Sequence, residues 1–249
     1  MASANSMSPD SAPTPAPEKV SVWEDFLDIF YAPSQVFQRR ANGNFWIPLL
    51  VVSLLMGALA FANRNIMRPV FDAEFARNAT KMMEKNPQIT QDAVSKMRDV
   101  SFTIAQYATV VMVPILVLLL ALVAWLLVKA FKAKVSWNAA LVVVSFAMIP
   151  RVVQQVAISI QGLLVDPASL TSRFAIQVGP GRFMDADTMN PMVGAVMDHL
   201  DLFILWGVVL TTIGIAVIGK MPKARAWLFG LTFWVVTLLF PLWGAYRSM

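Results

Sequence analysis

The chain is an all-α, polytopic integral membrane protein, and three observations predict this. Apolar residues make up 57% of it, with a mean hydropathy of +0.62, above the range of a soluble domain. Only 14% of residues are charged, and they avoid the long apolar runs. The runs themselves are long enough to cross a bilayer core of about 30 Å as helices.

Five such runs are predicted to span: Phe45–Ala62, Ala105–Ala130, Trp137–Leu164, Leu202–Ile218 and Ala226–Tyr246. Prolines inside them (Pro114, Pro150, Pro241) are tolerated in a bilayer when neighbours re-satisfy the freed carbonyls. No internal repeat argues for an inverted-repeat transporter. Residues 1–19 are Ser, Ala and Pro with little to bury, which predicts a disordered tail. Residues 20–246 then form one membrane domain.

Ahead of the first span, Trp23, Phe26, Leu27 and Phe30 recur at helical spacing, with Glu24, Asp25 and Asp28 opposite. This predicts a short amphipathic helix lying on the membrane surface; a helix packed on a partner is the alternative. Between the first two spans, Met67, Phe71, Phe75, Ala79 and Met82 step by three or four, an apolar stripe suited to packing on the bundle or the bilayer. Thr90 is placed to cap a second helix that runs into the second span.

Loop charge orients the bundle. Lys129, Lys132 and Lys134, and later Lys220, Lys223 and Arg225, sit in short turns without an acid. Short basic loops stay in the cytoplasm. The turn after the third span is acidic: Arg173 and Arg182 face Asp166, Asp185, Asp187, Asp198 and Asp201. Five spans then put the N-terminus in the cytoplasm and the C-terminus outside, in a bacterial inner (cell) membrane. The segment between the first two spans also holds seven cations, against five acids; its length discounts it in this count. The basic pI of 9.7 is a topology signal here, and no nucleic-acid partner is expected.

Chemistry is sparse. There is no Cys and one His, so thiolate sites and His-based catalytic sets are excluded. No cofactor and no enzymatic activity are expected: an intramembrane hydrolase needs paired carboxylates or a His within the spans. Asp198, His199 and Asp201 have ligand chemistry, but they read better as an acidic helix start. Arg151 stands out, since a charge inside a span is costly and is functional or paired. Gln154, Gln155, Ser159 and Gly162 share its face over roughly 16 Å. Pro150 frees the Phe146 carbonyl as a partner for the guanidinium. Either this is a polar track or lipid-headgroup site, or the span ends near Pro150 and Arg151 snorkels at the exterior interface. No acid lies inside a span, so no intramembrane ion pair is expected.

Several local patterns occur together. Pro33 and Phe37 follow the aromatic pre-helix, and Pro150 lies within the third span. Asp201, Phe203 and Trp206 open the fourth span, and Gly214 sits near its end. This arrangement resembles the Yip domain family of Ypt/Rab-interacting membrane proteins, in its bacterial-type form. The resemblance implies a five-span bundle with a cytoplasmic N-terminus. Eukaryotic members are associated with Rab GTPases and vesicle traffic; bacterial-type members have no Rab to bind, so that function does not carry over. The expected role is non-enzymatic membrane organisation or protein interaction, with the lipid bilayer and protein partners at the cytoplasmic face. The alternative is a small-solute or lipid transport component that uses the Arg151 stripe.

Overall fold

A computed structural model describes residues 21–166 and 169–249. The expected disordered tail, residues 1–19, lies outside them. The described residues form ten α-helices and short 3-10 turns, with no strand among them. The helices are α1 (Val22–Asp28), α2 (Pro33–Arg40), α3 (Trp46–Ala62), α4 (Arg64–Lys85) and α5 (Gln91–Ala130). Then come α6 (Trp137–Ala147), α7 (Ile149–Leu164), α8 (Pro191–His199), α9 (Leu202–Ile218) and α10 (Lys223–Arg247).

Three segments are long and apolar enough to cross a membrane: α5, α6 with α7, and α10. Helices α3 and α9 have 17 residues each, about 26 Å, slightly short of the hydrocarbon core. Each adjoins a second helix across a bend, α3 with α4 at 78° and α9 with α8 at 55°, so the span count is three to five. Large apolar side chains such as Leu54, Val111, Leu119, Leu126, Leu239 and Phe240 point outward, which suits a lipid solvent rather than water.

Caps in the sequence set several of these starts. Thr90 accepts from the Ala93 N–H, as its position predicts, and Ser136 and Asp201 cap α6 and α9 in the same way. Helix α5 runs 40 residues, about 60 Å, twice the hydrocarbon thickness. Its first part therefore stands beyond the bilayer, where Asp99 pairs with Arg68 of α4 at 2.6 Å.

Helix crossings rely on glycine. A Cβ at Gly214 would lie 2.6 Å from Val143 Cγ1 of α6, and one at Gly207 would lie 3.1 Å from the Ala147 carbonyl. Gly57 of α3 meets Val110 of α5 as closely, at 2.6 Å. Small residues that let backbones approach are the main route to tight packing in lipid, where helices gain little from hydrophobic exclusion.

The pre-helix differs from its expected form. It is two helices turned about Pro33, which takes the first position of α2, where a missing N–H costs nothing. Helix α2 lies along α9, and α1 meets α6 where the Phe26 and Phe146 rings are 5.5 Å apart. Phe37 is fully buried and touches the Gly214 site, while Phe30 meets the Trp206 ring edge-on at 5.3 Å. Those two contacts are eight residues apart on α9, about 12 Å along its axis. The faces differ as well. Trp23 and Leu27 are exposed, and Asp25, expected on the polar side, is 0% exposed. Arg39 donates to Asp25 at 2.7 Å and to Asp28 at 2.5 Å, and Arg40 also donates to Asp25. A buried carboxylate is stable only when paired and hydrogen-bonded in this manner.

Four of the seven cations between the first two spans are in ion pairs. Arg68 and Arg98 face Asp72 and Asp99, Arg77 faces Glu74 and Asp187, and Lys96 faces Asp92. Neutralised in pairs, they say little about orientation. Arg77 and Arg173 also tie α4 to the segment after α7 and to α8, through Asp187, Glu74 and Asp198.

Candidate functional site

The hydrogen bonds made by the polar residues of α7 run in two directions. They divide into two sets that close different junctions. Helix α6 stops at Ala147, and α7 begins anew at Ile149 with Pro150 in its first turn. Pro150 is therefore an initiator of α7, and its neighbour Arg151 does not use the Phe146 carbonyl. The Arg151 guanidinium donates instead to Gln154 Oε1 at 2.8 Å.

Gln154 passes the connection on. Its amide donates to Asp201 Oδ1 at 3.1 Å. Asp201 is 1% exposed and caps α9 by accepting from the Phe203 N–H at 2.9 Å. Its other oxygen accepts from the Val178 N–H at 3.1 Å, and the Leu202 N–H returns a bond to the Val178 carbonyl at 2.8 Å. One carboxylate thus fastens the start of α9, the side of α7 and the loop ahead of α8. Arg151 has no ion pair among the described residues, but an acid ahead of α9 is linked to it through one amide: Gln154 bridges Arg151 and Asp201. The pattern could not show this, because Gln154 and Asp201 are 47 residues apart.

The second set serves α3. Ser159 donates to Asn63 Oδ1 at 2.7 Å, and Asn63 Nδ2 donates to the Gln155 carbonyl at 3.2 Å. Asn63 is nearly fully buried. The residue at the α3–α4 bend is thus an anchor that the sequence reading missed; a lone amide just past an apolar run was the available signal. Gly162 lies beneath the Ile66 side chain with no room for a Cβ, so it is a packing position. Because Asn63 meets α7 at Gln155 and Ser159, Arg151 lies one to two turns inside the level at which α3 ends.

Arg151 borders two cavities. One, of about 290 Å³, is mostly apolar, with Leu120, Val144, Phe203, Phe233 and Phe240 in its walls and His199 nearby. The other, of about 430 Å³, carries Gln106 and Gln177 beside Arg151. The Oε1 atoms of both glutamines are buried without a hydrogen-bond partner. A guanidinium has five N–H donors, and Gln154 is the one side chain that Arg151 engages among the described residues.

Asp198, His199 and Asp201 point three ways. Asp198 accepts from Arg173 at 2.9 Å and from Gln177 at 2.5 Å. His199 Nε2 lies 3.2 Å from both the Trp234 carbonyl and Thr237 Oγ1 of α10. Asp201 is the α9 cap, the helix-start role that its position predicts. Of the other conspicuous residues, Phe37, Trp206 and Gly214 meet along α9 with Phe30, while Pro33 and Pro150 begin helices.

A family model described as the Yip1 domain matches residues 27–245. Neither the curated proteins nor the solved structures include a match. The matched region takes in every helix from α2 to α9 and nearly all of α10.

Proposed function

The chain belongs to the Yip1 domain family, and from that premise we propose a non-enzymatic role in membrane organisation through protein interaction. The α1–α2 hairpin and the basic end of the bundle are the interacting parts. We read the architecture as five spans in a bacterial inner membrane, with the N-terminus cytoplasmic and the C-terminus outside. The observation that carries the reading is the free face of the hairpin. Its other face is fixed by Phe30, Phe37 and the Asp25–Arg39 pair, yet Trp23, Leu27 and Tyr31 stay exposed, Tyr31 by 73%. Trp23 and Leu27 are spaced by four on α1, and Tyr31 follows in the turn after it. Exposed aromatic residues on a rigid element are the usual anchors of an interface.

A photo-reactive residue at Tyr31 is expected to give a discrete protein adduct in intact cells, while one at Phe183, on the segment between α7 and α8, gives none. Lipid adducts alone from Tyr31 would contradict the interaction role.

Transport of a small solute or lipid is the second reading. It is supported by the two cavities at Arg151 and the guanidinium donors that Gln154 leaves unmatched. Arg151, Gln154, Gln155 and Ser159 would have unequal parts in it. The first three border the larger of the two cavities, whereas Ser159 is spent on Asn63.

A further inference from the structure

At the end of the bundle opposite the Asp201 cap, two helices finish in the same way. Helix α5 closes at Ala130 and α9 at Ile218. In each, the residue after the C-cap has a left-handed backbone: Lys132 at φ 53° and Lys220 at φ 49°. The next N–H then reaches back five residues, from Ala133 to the Val128 carbonyl at 3.1 Å and from Met221 to the Ala216 carbonyl at 2.8 Å. This is the Schellman closure, and its left-handed position normally belongs to glycine. An L side chain is disfavoured there, whereas glycine is not. Among the described residues these are the two non-glycine positions with positive φ, and both are lysine.

Gly219 brings the two turns together. A Cβ there would lie 3.1 Å from Val135 Cγ2 and 3.3 Å from Ala133 Cβ. Between the turns is a cavity of about 450 Å³, bordered by Lys132, Lys134, Lys220 and Arg225, with no acid in its wall. None of these four cations has an ion pair among the described residues, whereas Arg68, Arg77, Lys96, Arg98 and Arg173 at the other end are all paired. A cation at a helix C-terminus complements the macrodipole, but Lys129 already does so from within the last turn of α5. Complementing the dipole therefore does not explain the lysine at the α5 closure, in a conformation that disfavours it, although α9 has no cation within its own last turn. Nor does it explain four like charges held around one space.

We propose that this cavity binds a phosphate group carried by an anionic ligand. Its place at the ends of two membrane helices suits a phospholipid headgroup, and a soluble phosphate ester shares the chemistry. Lysine supplies point-charge donors to phosphate, and Arg225 supplies a fork. The inference does not depend on the hairpin interaction proposed above.

The backbone argument makes the test separable from folding. Lys132→Gly/Lys220→Gly places the preferred residue at both closures, so the full-length protein in uncharged detergent should melt at the same temperature or higher. Its affinity for short-chain phosphatidylglycerol should nevertheless fall about 10-fold or more, while phosphatidylcholine binding stays unchanged. The control, Lys129→Gln/Lys223→Gln, removes two charges at the same end but outside the cavity, and should shift affinity less than about 2-fold. Equal losses in the two variants would mean diffuse attraction and would overturn the site. So would an unchanged affinity, or a lower melting temperature in the glycine variant. Glycerol 1-phosphate identifies the source: competition at millimolar concentration means the phosphate alone is recognised, and none means that the membrane-held headgroup is.

Discussion

Asp201→Ala is expected to destabilise the detergent-solubilised protein by roughly 3–5 kcal/mol, the range for breaking a buried charged network. For a chain of this size that lowers the melting temperature by about 10 °C or more. The substitution strips the acceptor from Gln154, from the Val178 N–H and from the α9 cap on Phe203 at once. It also leaves Arg151 without its nearest compensating acid. Asp201→Asn keeps a capping oxygen but loses the charge, so its loss should be about half as large. A melting curve followed by tryptophan fluorescence checks both. Melting temperatures within about 2 °C of the parent for Asp201→Ala would mean that the carboxylate does not join the three elements.

The second large effect is at Arg151. Arg151→Glu would set a carboxylate against Asp201 through the Gln154 side chain, with Asp198 also near, and offer no cation in exchange. Like charges in a poorly solvated site should cost about 3 kcal/mol or more and reduce membrane insertion. Arg151→Leu should be tolerated within about 1 kcal/mol. It removes a desolvation cost together with a partner, and Asp201 retains Gln154, Val178 and Phe203 as donors. Expression level and melting temperature of the two variants check the asymmetry. Equal tolerance of Glu and Leu would place Arg151 in water and remove the support for a ligand at its cavities. If transport is the function, Arg151→Leu should fold normally and lose it.

The legible parts of the fold were those written in contiguous sequence. Leu202–Ile218 is an unbroken apolar run behind an Asp, and α9 has those limits. Thr90 announced α5, and the spacing of Pro33, Phe37, Asp201 and Trp206 carried the family resemblance that the Yip1 match bears out. What stayed hidden depends on pairs distant in the chain. Asp25 looked like a solvent-facing acid because Arg39 and Arg40 reach it only after the chain turns at Pro33. Helical periodicity put Trp23 and Leu27 on one apolar face, and they stay exposed there, while Asp25 is buried beside Arg39 and Arg40.

The polar residues on α7 have partners on two different neighbours. Periodicity shows which residues share a face, not which neighbours divide it. Arg151 and Gln154 connect toward α9, while Ser159 and the backbone carbonyl of Gln155 hold Asn63. Likewise Lys132 and Lys220 read as topology signals, because a left-handed backbone at a lysine has no sequence mark.

Side-specific labelling of single cysteines tests the proposed five-span architecture most directly, and the chain has no Cys to confuse it. Cysteines at Asn42 and Lys132 should react with a membrane-impermeant maleimide only from the cytoplasmic side. Those at Phe183, 90% exposed, and at Ser248 should react only from outside. Labelling of Asn42 and Ser248 from the same side would require an even number of spans and contradict the account.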